Sequence, residues 1–128
     1  MSIQDQEKTI LIVEDNELNM KLAVDLLELA GFRTLKAFDG ETALKILKTE
    51  RPDLILLDIM MPGIGGPDVD AKLRENESTA QIPIIYLSSL VSKEDEQEQG
   101  KNVVLAKPYD NNHLLAKINA MIFNGRVK

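Results

Sequence analysis

Hydrophobic residues follow two rhythms along this chain. Short continuous aliphatic runs alternate with segments in which apolar residues return every three or four positions. Leu11-Ile12-Val13, Leu54-Ile55-Leu56-Leu57 and Val103-Val104-Leu105-Ala106 are the clearest runs. With their flanks they predict strands over Thr9–Val13, Arg33–Ala37, Leu54–Leu57, Ile84–Leu87 and Val103–Ala106. Unbroken aliphatic runs suit parallel strands covered on both faces. Between the first two strands, Leu18, Leu22, Leu26 and Leu29 recur at helical spacing and predict an apolar stripe turned to the core. Asn16 is the expected N-cap of that helix and Gly31 its stop. Gly40–Thr49 places Ala43, Leu44 and Leu47 on one helical face before Pro52 blocks continuation. Pro67 opens a shorter helix with Val69 and Leu73, and Leu114, Leu115, Ile118, Met121 and Ile122 mark a last one. Strands alternating with helices predict one α/β domain: a doubly wound, five-stranded parallel sheet with helices on both faces.

One connection breaks the rhythm. From Ser92 to Asn102 there is no apolar side chain. A crossover helix buries a stripe against the sheet, and this segment has none to bury. The fourth crossover helix is therefore expected to be short or absent, the segment forming a solvated charged helix, a loop, or a stretch ordered by a partner.

Composition narrows the class. At 128 residues the chain is long enough for a real core. It has no cysteine, which removes disulfides and thiolate metal sites. Residues 1–8 form a polar tail without the apolar stretch of a signal peptide, and no run approaches the roughly 18 apolar residues of a membrane span. A cytoplasmic protein with no membrane association is expected. A formal charge of −6 argues against nucleic-acid binding, which needs a basic footprint.

Three of the aliphatic runs end on charge: Val13 leads into Glu14-Asp15, Leu57 into Asp58, and Ala106 into Lys107-Pro108. Open α/β sheets bind ligands beyond the carboxyl ends of their strands, and in a 2-1-3-4-5 sheet the first and third strands are neighbours. Glu14, Asp15 and Asp58 then crowd one edge, where like charges raise one another's pKa unless a cation neutralises them. Oxygen ligands without cysteine or histidine suit a hard ion, and Mg²⁺ fits best, using one or two carboxylates and a phosphate. Lys107 adds a fixed positive charge. The parts match phosphoryl transfer, with a carboxylate as nucleophile. Singly each has an ordinary reading: Glu-Asp after a strand is helix-capping material, and Lys-Pro a turn. The combination and order exceed those readings.

Leu11-Ile12-Val13-Glu14-Asp15-Asn16, Leu56-Leu57-Asp58-Ile59-Met60-Met61-Pro62-Gly63, Ile82-Pro83-Ile84-Ile85-Tyr86-Leu87-Ser88-Ser89 and Ala106-Lys107-Pro108 closely resemble the receiver domain of two-component response regulators. The stretch from Val13 to Leu22 is similar to the DivK-type single-domain regulators and to hybrid-kinase receivers. The resemblance covers about Thr9 to Phe123 and implies a flavodoxin-like receiver domain over 9–123, with residues 124–128 as a tail. It implies that Asp58 accepts a phosphoryl group from the phosphohistidine of a histidine kinase or histidine phosphotransfer protein. Glu14, Asp15, Asp58 and the backbone carbonyl of Met60 would hold Mg²⁺, Lys107 would pair with the phosphoryl group, and Ser88 would hydrogen-bond to it. Gly66 matches a loop glycine, and the Lys107-Pro108 bond is often cis in the family. The implied output is altered binding to an effector protein of unknown identity. Such a chain is a switch and not an enzyme in the usual sense, although it catalyses its own phosphoryl transfer and slow dephosphorylation. It is expected to be a complete single-domain regulator or a receiver cut from a longer protein, with Met1 favouring the former.

The sequence departs from that pattern in three places. Val104 stands where the family usually has Tyr or Phe. Ser88 and Lys107 are 19 positions apart, a shorter spacing than usual, and the shortage falls in Ser92–Asn102. Met60 and Leu90, flanking the acceptor, are apolar and imply slow hydrolysis. His113 is expected to face solvent and Tyr86 to fill core. An alternative is a non-switching pseudo-receiver interaction module, which the filled acceptor, metal, hydroxyl and lysine positions oppose. A flavodoxin-like electron carrier would need a Ser/Thr/Gly-rich phosphate loop where Glu14-Asp15-Asn16-Glu17 stands, and an aspartate-nucleophile hydrolase a second Asp where Met60 stands.

Overall fold

Strand β1 (Thr9–Val13) has β2 (Arg33–Ala37) on one side and β3 (Leu54–Asp58) on the other, both parallel to it. A computed structural model describes residues 7–59, 66–99 and 102–124 of the chain. Helix α1 (Glu17–Leu29) joins β1 to β2, and α2 (Gly40–Ile46) joins β2 to β3. Next come α3 (Gly66–Arg74), a single-turn α4 (Glu77–Ala80) and β4 (Ile84–Ser88). A short 3₁₀ turn (Lys93–Asp95) leads into β5 (Gln97–Gln99), followed by β6 (Asn102–Ala106) and α5 (Asn111–Asn119). The sheet order is β2-β1-β3-β4-β6-β5. Its five parallel strands carry the expected 2-1-3-4-5 order, and β5 is an added antiparallel strand on the edge. No described helix is long and apolar enough to cross a membrane.

Alternation of side chains along each strand divides the core into two layers. Ile10, Ile12, Leu54, Leu56, Ile85, Leu87 and Leu105 meet α1 and α5 through Met20, Ala23, Leu27, Leu114 and Ile118. Leu11, Val13, Ile55, Leu57 and Ile84 meet α2 and α3 through Ala43, Val69 and Leu73. All four apolar residues of β3 are fully buried, each stabilising the fold by about 1.5–3 kcal/mol. That central strand fixes the position of Asp58.

Local signals set the helix ends. Asn16 caps α1, its side-chain oxygen accepting from Asn19 N–H at 2.8 Å, and Gly31 turns the chain out at φ 98°. Asp39 caps α2 by accepting from Thr42 N–H at 2.7 Å. That helix ends at Ile46, short of the predicted Thr49, as Lys48 and Thr49 N–H close tighter turns on Lys45 and Ile46.

Two expectations need correction. The buried stripe of α1 is Met20, Ala23 and Leu27; of the four predicted residues Leu26 packs against this core half-buried, whereas Leu18, Leu22 and Leu29 are 64%, 56% and 92% exposed. Two apolar stripes coexist on this helix, and the one with small Ala23 lets its axis approach the strands. The second correction concerns Ser92–Asn102. Of its described residues, 92–99 and 102, Lys93–Asp95 form the 3₁₀ turn and Gln97–Gln99 pair with Asn102–Val104. With no stripe to bury, the segment satisfies its backbone at the sheet edge instead.

Candidate functional site

The carboxyl ends of β1, β3, β4 and β6 converge. Register pairs Val13 with Leu57, Asp58 with Leu87, and Ser88 with Ala106, so the residues at or just beyond these positions share one rim. Glu14 follows β1 directly and its N–H donates to Ala37 O at 3.0 Å, which extends the β1–β2 ladder into the site. Asp58 ends β3 and Ser88 ends β4. Lys107 follows β6 and its N–H donates to Ser88 O at 2.8 Å. Glu14, Asp58 and Ser88 are buried, while Asp15 is exposed.

Carboxylate oxygens of Glu14, Asp15 and Asp58 lie within 4.8 Å of one another. The Lys107 ammonium donates to Glu14 Oε1 at 3.2 Å and to Asp58 Oδ2 at 3.3 Å. Burial pushes the Glu14 carboxyl above its ordinary value, and the Asp58 charge adds to that. The Asn16 N–H, at 3.1 Å, and Lys107 pull the other way without prevailing. Burial alone would lower the Lys107 ammonium, but the charges of Asp58 and Glu14 outweigh it and hold the lysine above its ordinary value. Two carboxylates contact the ammonium and a third lies within 4.8 Å of them, which leaves an excess of negative charge at the rim. That arrangement can take up a hard cation and an electron-poor phosphorus centre.

Beside the rim lies a cavity of about 470 Å³ bounded by Glu14, Lys107, Leu22, Leu87 and Tyr109. Burial raises the Tyr109 phenol, with Glu14 adding and Lys107 opposing. The Ser88 hydroxyl oxygen accepts from Leu90 N–H at 3.0 Å, and Leu90 itself is exposed. The Lys107-Pro108 peptide is cis. Gly66 begins α3, and Met60, expected to offer a carbonyl, lies outside the described residues.

The expected set of Glu14, Asp15, Asp58, Ser88 and Lys107 is thus gathered at one edge. Two other expectations concern Tyr86 and His113. Tyr86 is a partly buried member of the α2/α3 core layer, close to expectation. His113 is exposed as expected, and its Nε2 in addition lies 3.2 Å from Glu96 Oε1. Glu96 itself was not singled out from the sequence, since within Ser92–Asn102 it is one acid among several.

Comparison with known proteins agrees with this geometry. Residues 10–119 match the response regulator receiver domain family. The polar-differentiation response regulators DivK of Brucella anthropi and Brucella ovis are each 39% identical over 104 residues, covering 79% of this chain and 85% of theirs. The receiver domain of Francisella response regulator 1452 is 30% identical with a TM-score of 0.81, over 95% of this chain and all of its own. The receiver domain of sensor histidine kinase PA1611 from Pseudomonas aeruginosa is 28% identical with a TM-score of 0.79, over 91% and 98%. That structure carries a magnesium ion in its active-site cleft. Sequence, sheet order and the acidic rim with its lysine lead to one assignment: this chain belongs to the response regulator receiver domain family.

Proposed function

We propose that Asp58 is a phosphoacceptor and that its phosphorylation changes which proteins this chain binds. The observation carrying this reading is the Lys107 ammonium held between Glu14 and Asp58 at the carboxyl edge of the sheet. An Asp58 carboxylate oxygen attacks phosphorus and forms the O–P bond. The N–P bond to the donor phosphohistidine breaks, and the departing imidazole takes the electron pair. A histidine kinase or histidine phosphotransfer protein is the donor in this reading. Lys107 is already within reach of Asp58 and would pair with the new dianion without a large movement.

Mg²⁺ fits the donor set. Glu14, Asp15 and Asp58 offer only hard oxygens, gathered within 4.8 Å. These three residues, with the Met60 carbonyl, would hold the ion. Bound there, it would neutralise charge on the acceptor and the incoming group.

Ser88 supplies the switch. Its hydroxyl now engages Leu90 N–H. A phosphoryl oxygen at Asp58 accepts from the Ser88 O–H and draws the side chain toward it, pulling the hydroxyl oxygen away from Leu90 N–H and shifting the backbone after β4, whose movement a partner reads. Met60, two positions after Asp58, and Leu90, two after Ser88, are apolar by sequence, and slow attack by water is the expected consequence. A cytoplasmic protein acting on an effector protein follows from this reading. A second reading, a module that binds partners without switching, is favoured by Val104, which has no ring to move.

Intact-mass measurement after incubation with a small phosphodonor and Mg²⁺ separates the two. One phosphoryl mass per chain, absent in Asp58→Asn and without Mg²⁺, is expected. No adduct on wild type would overturn the phosphoacceptor reading and favour the second.

A further inference from the structure

Lys107 is delivered by the last residue of β6, and that residue is held in an unusual way. Lys107 N–H points to β4, donating to Ser88 O. Successive strand residues alternate, so the preceding Ala106 N–H points to the outer edge. Along that edge β5 pairs residues 102 to 104 and reaches no further. Ala106 N–H therefore lies beyond the last rung of the ladder. Its acceptor is a side chain: Glu96 Oε2, at 3.0 Å.

The same carboxylate is anchored from the other side. Glu96 Oε1 lies 3.2 Å from His113 Nε2 in the first turn of α5, where Asp110 caps the helix by accepting from His113 N–H at 2.9 Å. The Glu96 side chain is 19% exposed. One carboxylate thus joins the edge segment, the end of β6 and the start of α5 at the residue adjacent to Lys107. Its acid is held below its ordinary value, chiefly by the Ala106 N–H.

We propose that Glu96 is a positioning residue for Lys107, acting as a side-chain rung that fixes the end of β6 and so the reach of the ammonium toward Asp58. An unmade rung leaves Ala106 N–H to water and frees the peptide that carries Lys107. Misplacement by about 1 Å is enough to slow a transfer whose catalysis is mostly positioning. The segment standing in place of a crossover helix thereby acquires a role: it supports the catalytic lysine from outside the site.

The proposal rests on the phosphoacceptor reading for its rate measurement and is independent of it for its structural one. Glu96→Ala should slow phosphorylation by a small phosphodonor roughly tenfold or more. Glu96→Gln keeps a carbonyl acceptor for Ala106 N–H and should remain within about twofold of wild type. In metal-free, unphosphorylated protein, amide exchange at Ala106 should accelerate in Glu96→Ala and be restored in Glu96→Gln, with the melting of the domain followed in parallel. Equal phosphorylation rates in Glu96→Ala and wild type would overturn the proposal, as would Ala106 exchange that ignores both substitutions. Glu96→Gln as slow as Glu96→Ala, with Ala106 still protected, would also overturn it, because charge and not the rung would then matter. A wild-type chain that takes no phosphoryl group would remove the function reading, while the exchange measurement would still decide whether Glu96 holds the strand end.

Discussion

Replacing Lys107 with Met isolates the charge at the centre of the site, because the aliphatic stem is kept while the ammonium is lost. At an effective dielectric near 20, contacts at 3.2 and 3.3 Å are each worth roughly 5 kcal/mol before desolvation. The Glu14 and Asp58 oxygens, no more than 4.8 Å apart, repel by at least about 3.5 kcal/mol on the same scale. Removing a partner from a buried pair costs about 3–5 kcal/mol. The Lys107 side chain is 21% exposed, so solvent discounts that figure and a loss of about 2–4 kcal/mol is expected without metal. For a domain of this length that corresponds to a fall in Tm of about 6–16 °C. Mg²⁺ opposes the loss, since binding to the folded state alone adds about 2.7 kcal/mol at a hundredfold excess over Kd. The variant, with more uncompensated carboxylate, should gain more from Mg²⁺ than wild type. Thermal melts of both proteins with EDTA and with Mg²⁺ provide the assay. Metal-free melts within about 2 °C of each other would refute the electrostatic account of the site.

The two stripes of α1 give a second prediction: Leu27→Ala should lose about 2–5 kcal/mol in urea unfolding, and Leu29→Ala no more than about 0.5 kcal/mol. The pH dependence of Lys107→Met should follow Glu14, whose raised carboxyl weakens the fold as pH rises through its folded value and ceases to do so below its ordinary 4.5. The variant's deficit against wild type, measured by urea midpoints, should therefore shrink from about pH 7 toward pH 4.5. Glu96 has the opposite sign. Its lowered carboxyl contributes fully above 4.5 and fades as pH falls through the folded value, so Glu96→Gln should flatten the acid limb of the same titration. Met60→Asn, which puts a polar side chain two positions after Asp58 in the sequence, should speed loss of phosphate if Asp58 carries it, followed by intact mass; unchanged decay would remove Met60 from the account.

What the sequence disclosed, and what it concealed, follows from the physics of each element. Fully buried strands such as Leu54–Leu57 leave an unmistakable aliphatic run, and the charges that end them fall at strand termini whose position the run itself fixes. Glu14, Asp58 and Lys107 were legible for that reason. The phase of α1 was not, because Leu18 and Leu22 mark a stripe as convincingly as Met20 and Ala23 do, and only the approach of the helix to the sheet chooses between them. Glu77–Ala80 escaped notice although Asn76 caps it, its side chain accepting from Ser78 N–H at 2.9 Å, since one turn leaves no periodicity. Strand β5 escaped for a different reason. Its pairing is made by backbone groups, which every residue type possesses, and polar composition says nothing about where they are satisfied.

That edge strand also divides the sheet by the distance its pairings span along the chain. Gln99 and Asn102 pair three positions apart, whereas Ile84 and Asn102 pair across a whole crossover. Short closures form quickly and at little entropic cost, while parallel pairings wait for distant segments to meet. Strand β5 can therefore leave β6 and rejoin it as a small unit of its own, with the five parallel strands still paired. Opening would be a local event with its own free energy, below that of global unfolding.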